Sequence, residues 1–413
     1  MIRREAAIVG IGQTEYAKAL APTAWQLAVE AVVAALADAG VDAADVDGMC
    51  RFAAPFETVS EAMLVRSLGI RELSFLAQAP HGGEALGAVV AHAAAAISAG
   101  LANVVVVYRA LSQSKGGRFG RADRGGPGAS GTPGAPGAPG APSGSPAPDP
   151  AADIVVPEED NRSFAWPYGL VSPGQLFALW ATRYAAVHGL TSEDLTRTLG
   201  TIAITQRRYA NNNPAAMMRD RKLDWDTYRQ ARMISEPLRL FDLCLENDGA
   251  CAFVITGADL ARTLRDDPVY VLSATQTLAP YREPMGIYVP DLLELFPPAA
   301  ADRLFGQAGV TRKDIDVAEF YDATSYMPLR SLESYGFAPD GAGWRYVLDH
   351  GTGPDSPLPV NTHGGHLSEA YLHGMNGIVE AVRQLRGTAC NQVPDAEVAL
   401  VGAPAGSATI LAR

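Results

Sequence analysis

Short apolar segments alternate with helical segments at both ends of this chain, and this alternation constrains the fold more than any other feature. A strand-like run at 6–14 leads into a helical run at 24–36, and the β-branched run at 104–107 is typical of a strand covered on both faces. A similar succession restarts at residue 269. Alternating strands and helices indicate a layered α/β protein, and their recurrence suggests an internal duplication.

Two stretches interrupt the alternation. Residues 116–153 are rich in Gly, Pro, Ser and Ala, a composition that buries too little apolar surface to fold, so we expect a flexible surface insertion. Residues 164–240 have helical character, with one helix over 173–188 and another after the N-cap Thr191. We therefore expect residues 1–262 to form one half of the protein, containing both insertions, and residues 263–413 to form the other.

Residues 361–377 concentrate titratable side chains and glycines in one turn-rich segment. The segment holds three of the chain's seven histidines, a carboxylate, a tyrosine and four glycines, and an amphipathic run follows at 378–385. Glycines let a backbone approach a ligand closely, and the first N–H groups of a helix can bind an anion or a developing oxyanion. We interpret the segment as a candidate active site. The alternative is a solvated loop whose histidines cap neighbouring elements.

The charge and hydropathy of the chain argue against several classes of function. Its net charge of −12 disfavours a nucleic-acid binder, which needs a basic face. No hydrophobic run approaches the ~20 residues that span a bilayer, and no signal peptide is evident, so we expect no membrane span and a cytoplasmic location. The four cysteines lack zinc-site spacing, and Cys244 and Cys251 are expected to be small core side chains.

A local excess of arginine stands out between residues 207 and 239 of this acidic protein. Arg207 and Arg208, with the arginines that follow, could bind the phosphates of an anionic substrate. An equally good interpretation is a solvated face whose arginines pair with nearby aspartates. The aspartates in question are Asp220, Asp224 and Asp226.

Several segments together resemble the thiolase superfamily, specifically its lipid-transfer-protein branch. The resemblance covers nearly the whole chain and is carried by residues 8–14, 83–107, 247–250, 319–322 and 361–377. It implies an α/β protein with the duplicated, five-layered α-β-α-β-α fold of thiolases. The helical residues 164–240 would then be the loop domain that this fold carries as an insertion.

The departures from the thiolase pattern are informative. Thiolases place a nucleophilic cysteine before a long helix, but the corresponding turn at 79–83 has no thiol, and the C-terminal catalytic cysteine is also missing from 400–406. Tyr371 stands at the position of the thiolase histidine, and Tyr321 stands before Asp322 where an Asn or His is usual. Covalent acyl transfer needs an activated nucleophile, so we do not expect a thiolase.

Two tyrosines at these positions look like the steroid side-chain-cleaving aldolases of the superfamily. The resemblance implies retro-aldol cleavage of a hydroxylated steroid side-chain acyl-CoA to a ring ketone and a short acyl-CoA such as propionyl-CoA. It also implies a homodimer and a small partner subunit with an OB-fold domain, of the kind that accompanies acyl-CoA hydratases. No cofactor is expected, since coenzyme A is part of the substrate.

For this chemistry we expect Tyr371 to be the general base or proton relay and Tyr321 the acid or enolate-orienting donor, or the reverse. An unperturbed tyrosine has a pKa of ~10, so His373, or the helix start after Tyr371, is expected to lower the pKa of Tyr371 or to relay its proton. His363 and the backbone at Gly364 and Gly365 are expected to bind the thioester oxygen. The other expected substrate-binding residues are Asn361, Asp322, His81, Arg207 and Arg208.

Two further functions stay open at this point. A non-catalytic carrier of acyl-CoA or sterol, built on a thiolase scaffold, explains the missing cysteines equally well. A metal hydrolase would use the histidines of the 361–377 segment with Glu369, but metal ligands usually lie on firmer elements than a glycine-rich loop, and we expect no metal.

Overall fold

The computed structural model describes residues 3–53, 58–80, 86–115, 166–277, 291–295, 299–404 and 406–413. The strands in these ranges are β1 (Ala6–Gln13), β2 (Gly48–Ala53), β3 (Phe75–Pro80), β4 (Val104–Ser112), β5 (Met233–Ser235), β6 (Leu238–Arg239), β7 (Asp248–Gly257), β8 (Val269–Thr275), β9 (Val317–Phe320), β10 (Val398–Gly402) and β11 (Ala408–Ala412). The α-helices are α1 (Ala24–Ala39), α2 (Glu61–Leu68), α3 (Leu86–Ser98), α4 (Pro173–His188), α5 (Ser192–Asn212), α6 (Trp225–Gln230), α7 (Ala258–Leu264), α8 (Ala299–Ala308), α9 (Tyr326–Ser334), α10 (Gly343–His350), α11 (Gly365–Ser368) and α12 (Met375–Arg386).

Nine of these strands form one mixed sheet in the order β3-β2-β4-β7-β1-β8-β11-β10-β9. The sheet consists of two halves joined by a short antiparallel ladder that pairs Ala7 with Tyr270 and Ile8 with Val269. Within the first half, β2 is parallel to β3 and β4, whereas β7 is antiparallel to β4 and β1.

The second half repeats this arrangement in mirror order. Strand β9 is parallel to β10 and to a bridge at Val360, whereas β11 is antiparallel to β10 and β8. If the bridge at Val360 is counted as the third segment of the second half, the segments of both halves, numbered along the chain, lie in the order 3-2-4-5-1. The identical topology of the two halves is the internal duplication that the repeated strand–helix succession suggests.

Helices separate and cover the two half-sheets. Helices α3 and α12 contact strands of both halves and form the central layer, whereas α1 packs on β1, β4 and β7 and α8 packs on β8 and β11. Alternation along β1 follows from the pleat of a strand: Ala7 and Val9 face α1, and Ala6 and Ile8 face the central layer. The layered α/β architecture matches the expected thiolase-like fold.

Most predicted elements are present close to their expected bounds. Helix α4 spans Pro173–His188 as predicted, and α5 follows Thr191, whose hydroxyl accepts a hydrogen bond from the N–H of Asp194. The expectation of helix throughout 164–240 is wrong at its end, where β5 and β6 form an antiparallel ribbon. Pro237 lies between these two strands, and proline interrupts a helix because it has no N–H to donate.

Two expectations fall outside the described residues, namely the flexible insertion at 116–153 and the substrate-binding role of His81. The division of the chain at residues 262 and 263 stays a prediction, which the repeated strand order supports. No helix in the described part of the chain is long and apolar enough to cross a membrane.

Candidate active site

The two tyrosines singled out from the sequence meet in the folded protein. Tyr321 directly follows β9, and Tyr371 lies in the turn between α11 and α12. Their hydroxyl oxygens are 2.9 Å apart, and the side chains are 7% and 5% exposed. The main-chain N–H of Tyr321 donates to the Gly402 carbonyl and that of Tyr371 donates to Asn247 Oδ1, so both backbones are held by neighbouring elements.

His366 lies against both tyrosine rings. Its ring is edge-on to Tyr321 and to Tyr371, with centroid separations of 5.2 and 5.1 Å. The N–H of Gly374 donates to His366 Nε2 at 2.9 Å, and His366 Nδ1 lies 2.9 Å from Asp322 Oδ1 and 3.3 Å from the main-chain nitrogen of Asp322. Asp322 therefore orients His366, whose ring packs against both tyrosine rings and restricts their positions.

Asp322 also fixes the start of α11. Its two carboxylate oxygens accept from the His366 N–H at 2.9 and 3.0 Å. Gly365 has φ of 62°, and a Cβ on it would lie 2.2 Å from Asp322 Oδ2, so only glycine allows this approach. The buried Asp322 thus acts here through His366 and α11; its role in binding substrate stays a prediction.

His373 lies on the Tyr371 side of the pair. Its ring is 4.8 Å from the Tyr371 ring, and its Nδ1 accepts a hydrogen bond of 3.1 Å from Nε of Arg109 on β4. Burial, with Arg109 and His366 nearby, holds the pKa of His373 well below its usual range. The imidazole next to Tyr371 is therefore neutral at physiological pH.

Burial keeps both phenols protonated in the free protein. It raises the pKa of Tyr321 well above the ordinary value, and the contact with Tyr371 raises it further. Burial also raises the pKa of Tyr371, although the hydrogen bond with Tyr321 and the charge of Arg109 act in the opposite direction. The expectation that the pKa of Tyr371 is lowered in the folded protein is therefore wrong. The pair can accept and donate protons as hydroxyls, without a free phenolate.

His363 belongs to a buried carboxylate cluster. Its Nδ1 is 2.9 Å from Glu319 Oε2, and its Nε2 is 3.8 Å from Glu369 Oε2. Burial alone would lower the pKa of His363, but the charges of Glu369, Glu319 and Glu380 outweigh it and raise that pKa to about 10. The ring is thus a cation that offsets buried carboxylates; its expected contact with the thioester oxygen stays a prediction.

The turn before α11 is held by its own backbone and side chains. Asn361 Oδ1 accepts from the Phe320 N–H at 2.6 Å, and its Nδ2 donates to the Phe320 carbonyl at 2.9 Å. Gly364 has φ of 109°, and its N–H already donates to the Asn361 carbonyl. Every residue from 361 to 377 is buried, so the alternative of a solvated loop is wrong.

The arginine-rich region divides between interior and surface. Arg207 is 4% exposed and donates from Nε to Ser368 Oγ at 2.8 Å, whereas Arg208 is exposed. Burial and the charge of Arg221 lower the pKa of Arg207 to about 10. Arg219 pairs with Asp220 at 3.1 Å, as expected for a solvated face. Arg207 fits neither expectation in full, because it is bound to the segment that carries Tyr371.

Comparison with known proteins identifies the family of this chain. Residues 287–411 match the family model described as thiolase C-terminal domain-like. The chain is 38% identical to a 17-hydroxy-3-oxo-4-pregnene-20-carboxyl-CoA lyase of Mycobacterium tuberculosis, covering 99% of this chain and 98% of that protein. It is 37% identical to a steroid side-chain-cleaving aldolase of Thermomonospora curvata, covering 98% of this chain and 96% of that protein.

The chain belongs to the family of steroid side-chain-cleaving aldolases. A solved structure of an Ltp2-ChsH2(DUF35) aldolase has a TM-score of 0.84 and 35% identity, covering 100% of this chain and 98% of that chain. Human mitochondrial 3-ketoacyl-CoA thiolase has a TM-score of 0.64 at 14% identity, which shows the shared fold alone. Family membership therefore agrees with the loss of both thiolase cysteines.

Sequence reasoning missed three residues around the tyrosines of this aldolase. His366 was considered only as a metal ligand, and neither Arg109 nor Asn247 was assigned a role. The one available signal for Arg109 was a charged residue extending the apolar run at 104–107, which is unusual in a covered strand.

The described cysteines do not supply a thiolate, and the described residues do not form a metal site. Cys251 is fully buried, as expected, whereas Cys244 is partly exposed; burial raises the pKa of both thiols, so neither is a thiolate. Within the described ranges, no group of three or more His, Cys, Asp or Glu side chains has an arrangement suited to a metal ion.

Proposed function

We propose that this protein cleaves a hydroxylated steroid side-chain acyl-CoA by a retro-aldol reaction, giving a ring ketone and a short acyl-CoA such as propionyl-CoA. The single observation that carries the proposal is the pair of buried hydroxyls of Tyr321 and Tyr371, 2.9 Å apart. The resemblance to thiolases puts both tyrosines at the positions of catalytic residues, and the chain belongs to the aldolase family.

The reaction requires only proton transfers and one bond cleavage. The substrate hydroxyl loses its proton and becomes the ketone as the bond between the α and β carbons breaks. The electron pair of that bond passes to the α carbon and is shared with the thioester oxygen as an enolate, and a proton then returns to the α carbon. No covalent enzyme intermediate forms, so no nucleophilic cysteine is needed.

Two touching phenols suit this proton balance. A proton from the substrate hydroxyl can enter one phenol while that phenol passes its own proton to the second, and the second protonates the enolate carbon. The net charge of the enzyme does not change during this transfer. The transfer therefore forms no free phenolate in a site where burial raises the pKa of both phenols. His366, held by Asp322, keeps the two rings in place for the transfer.

The substrate and partners form part of the same proposal. The Mycobacterium tuberculosis relative is named for 17-hydroxy-3-oxo-4-pregnene-20-carboxyl-CoA, which makes this thioester the first compound to test. The related solved structure pairs its aldolase with ChsH2(DUF35), and we propose a small OB-fold partner of that class here, together with a homodimer. Coenzyme A enters only as part of the substrate, no cofactor is proposed, and a CoA thioester substrate suits a cytoplasmic location.

The deciding experiment incubates the purified protein with that thioester, alone and with a DUF35-type partner, and follows both products by liquid chromatography and mass spectrometry. Equimolar ring ketone and propionyl-CoA would support the aldolase. Binding of the thioester without release of a ketone, under both conditions, would refute it and favour the carrier function instead.

A further inference from the structure

Arg109 is a fully buried cation in an otherwise apolar strand. It lies on β4 after a run of valines, and its side chain has no exposed surface. Alternation along the strand places it on the same face as Val105 and Val107, which belong to the core cluster around the central layer of helices. Burying a guanidinium is costly, so the position calls for a specific partner.

One such partner is His373, which the other half of the chain supplies. Arg109 Nε donates to His373 Nδ1 at 3.1 Å. A guanidinium keeps its protons at any physiological pH, so Nδ1 must present a lone pair and the ring proton lies on Nε2. His373 has a positive φ of 54°, a conformation that its surroundings must impose. Arg109 therefore selects the tautomer and the position of the ring.

The contact makes the two tyrosines electrostatically unequal. The His373 ring is 4.8 Å from the Tyr371 ring and accepts a hydrogen bond from Arg109, whose positive charge also acts on Tyr371. Charged and titratable groups around both phenols come from several elements. Among the described residues, the groups close to Tyr371 include Tyr321, Cys244, Arg109, Asp322, His366 and His373, and the groups close to Tyr321 include Tyr371, Cys244, Asp322 and His366.

We propose that Arg109 is a positioning residue that makes Tyr371 the acceptor of the substrate hydroxyl proton and Tyr321 the donor to the enolate carbon. The inference rests on the proposed aldolase function and settles the order of proton transfer within it. Negative charge that develops transiently on a phenol oxygen is favoured where the cation lies, which is at Tyr371. Tyr321, beside Asp322 and hydrogen-bonded to Tyr371, is the phenol that keeps its proton until the enolate takes it.

Site-specific replacement by 3,5-difluorotyrosine tests this order without relying on activity. The fluorines lower the phenol pKa into a range where a folded protein can be titrated, and phenolate formation is followed by absorbance. With one label per protein, position 371 should ionise at lower pH than position 321. Ionisation at the same pH, or first at position 321, would overturn the inference.

Arg109→Met tests whether the guanidinium causes the order in which the two labels ionise. We take the guanidinium to lie ~5–10 Å from the phenol oxygen at position 371, with an effective dielectric constant of ~20. Removing its charge should then raise the pH at which the label at 371 ionises by about 1–2 units, and should raise the ionisation pH of the label at 321 by less. Arg330→Met is the matched control: Arg330 is 2% exposed but pairs with Glu333 and Asp340 outside the site, so neither label should shift. Equal shifts at both labels in Arg109→Met would contradict the proposal.

Kinetics give a second readout. Arg109→Met should lower kcat with little change in KM, and Arg109→Lys should restore part of kcat because it keeps the charge. A purely structural role would lower the melting temperature and leave the labels unchanged. If Arg109→Met does not fold, the order of ionisation in the unsubstituted background still decides. A protein that shows the expected order but releases no ketone would refute the aldolase function alone, whereas cleavage with the reversed order would refute only the role of Arg109.

Discussion

The hydroxyl pair predicts a strong coupling between two phenylalanine substitutions. Tyr371→Phe removes the oxygen that lies 2.9 Å from the Tyr321 hydroxyl, and Tyr321→Phe does the reverse. If the two phenols pass one proton, neither can act alone. Each single variant should therefore lose about 10²–10⁴-fold in kcat, the usual value of general acid–base catalysis, and the double variant should be little worse than either.

Stability should show the same coupling for a separate reason. Removing one hydroxyl leaves a buried polar group without its recorded partner, which costs about 1–3 kcal/mol of unfolding free energy. Removing both hydroxyls leaves no such group on this contact, so the double variant should be more stable than the sum of the single losses by about 1 kcal/mol or more. Urea unfolding of the four proteins measures this difference, provided that the urea dependence is the same in each.

Tyr335→Phe is the matched control for this cycle. Tyr335 is also fully buried, but its hydroxyl donates to the Ala403 carbonyl at 2.5 Å rather than to the tyrosine pair. The variant should lose about 1 kcal/mol of stability and keep its activity. Wild-type activity in Tyr371→Phe, or activity losses that multiply in the double variant, would refute the idea of a shared proton path.

Three other perturbations test neighbouring parts of the site. The pKa of His363 is raised to about 10 in the folded protein from ~6.5 in the unfolded chain, so the free energy of unfolding of the wild type should decrease as pH rises from about 6.5 to about 10. His363→Gln should make this decrease smaller, which urea unfolding at pH 6 and at pH 9 would measure. Gly365→Ala would place a methyl group 2.2 Å from a carboxylate oxygen of Asp322. It should therefore destabilise the protein far more than Gly387→Ala, because Gly387 also has a positive φ but a Cβ there would meet no atom within 4 Å. Equal losses of stability would contradict the steric argument. If the exposed Arg208 binds substrate phosphates, Arg208→Ala should raise KM without lowering stability, whereas Arg207→Ala should mainly destabilise; an unchanged KM would remove Arg208 from the substrate-binding residues.

Local patterns predicted the elements of this fold well. Apolar β-branched runs became strands, and a threonine or serine before an apolar run marked the start of α1 and of α5. Short elements such as the β5–β6 ribbon and α11 were missed, because each is held by tertiary contacts more than by its own residues. In α11, for example, Asp322 accepts the main-chain N–H of His366, a partner that is distant in sequence.

The candidate site was predictable only where its residues interrupt a recognisable motif. Tyr321 and Tyr371 were found because each stands at the position of a thiolase catalytic residue, and His373 because it is two residues from Tyr371. Arg109 was not found, since it is 264 positions from its partner and nothing near it in the sequence suggests a contact. Its contact with His373 depends on the packing of the two halves, which brings β4 of one half beside the glycine-rich turn of the other.

The order of residues was thus enough to predict the layered α/β class, the internal duplication and the absence of the thiolase cysteines, and to single out two tyrosines, because these depend on periodicity and on residue identity at motif positions. It was not enough to say which charges surround those tyrosines. Electrostatic effects depend on distances through space, and in this protein the charges that distinguish one phenol from the other come from strands and turns that meet only when the two halves pack together.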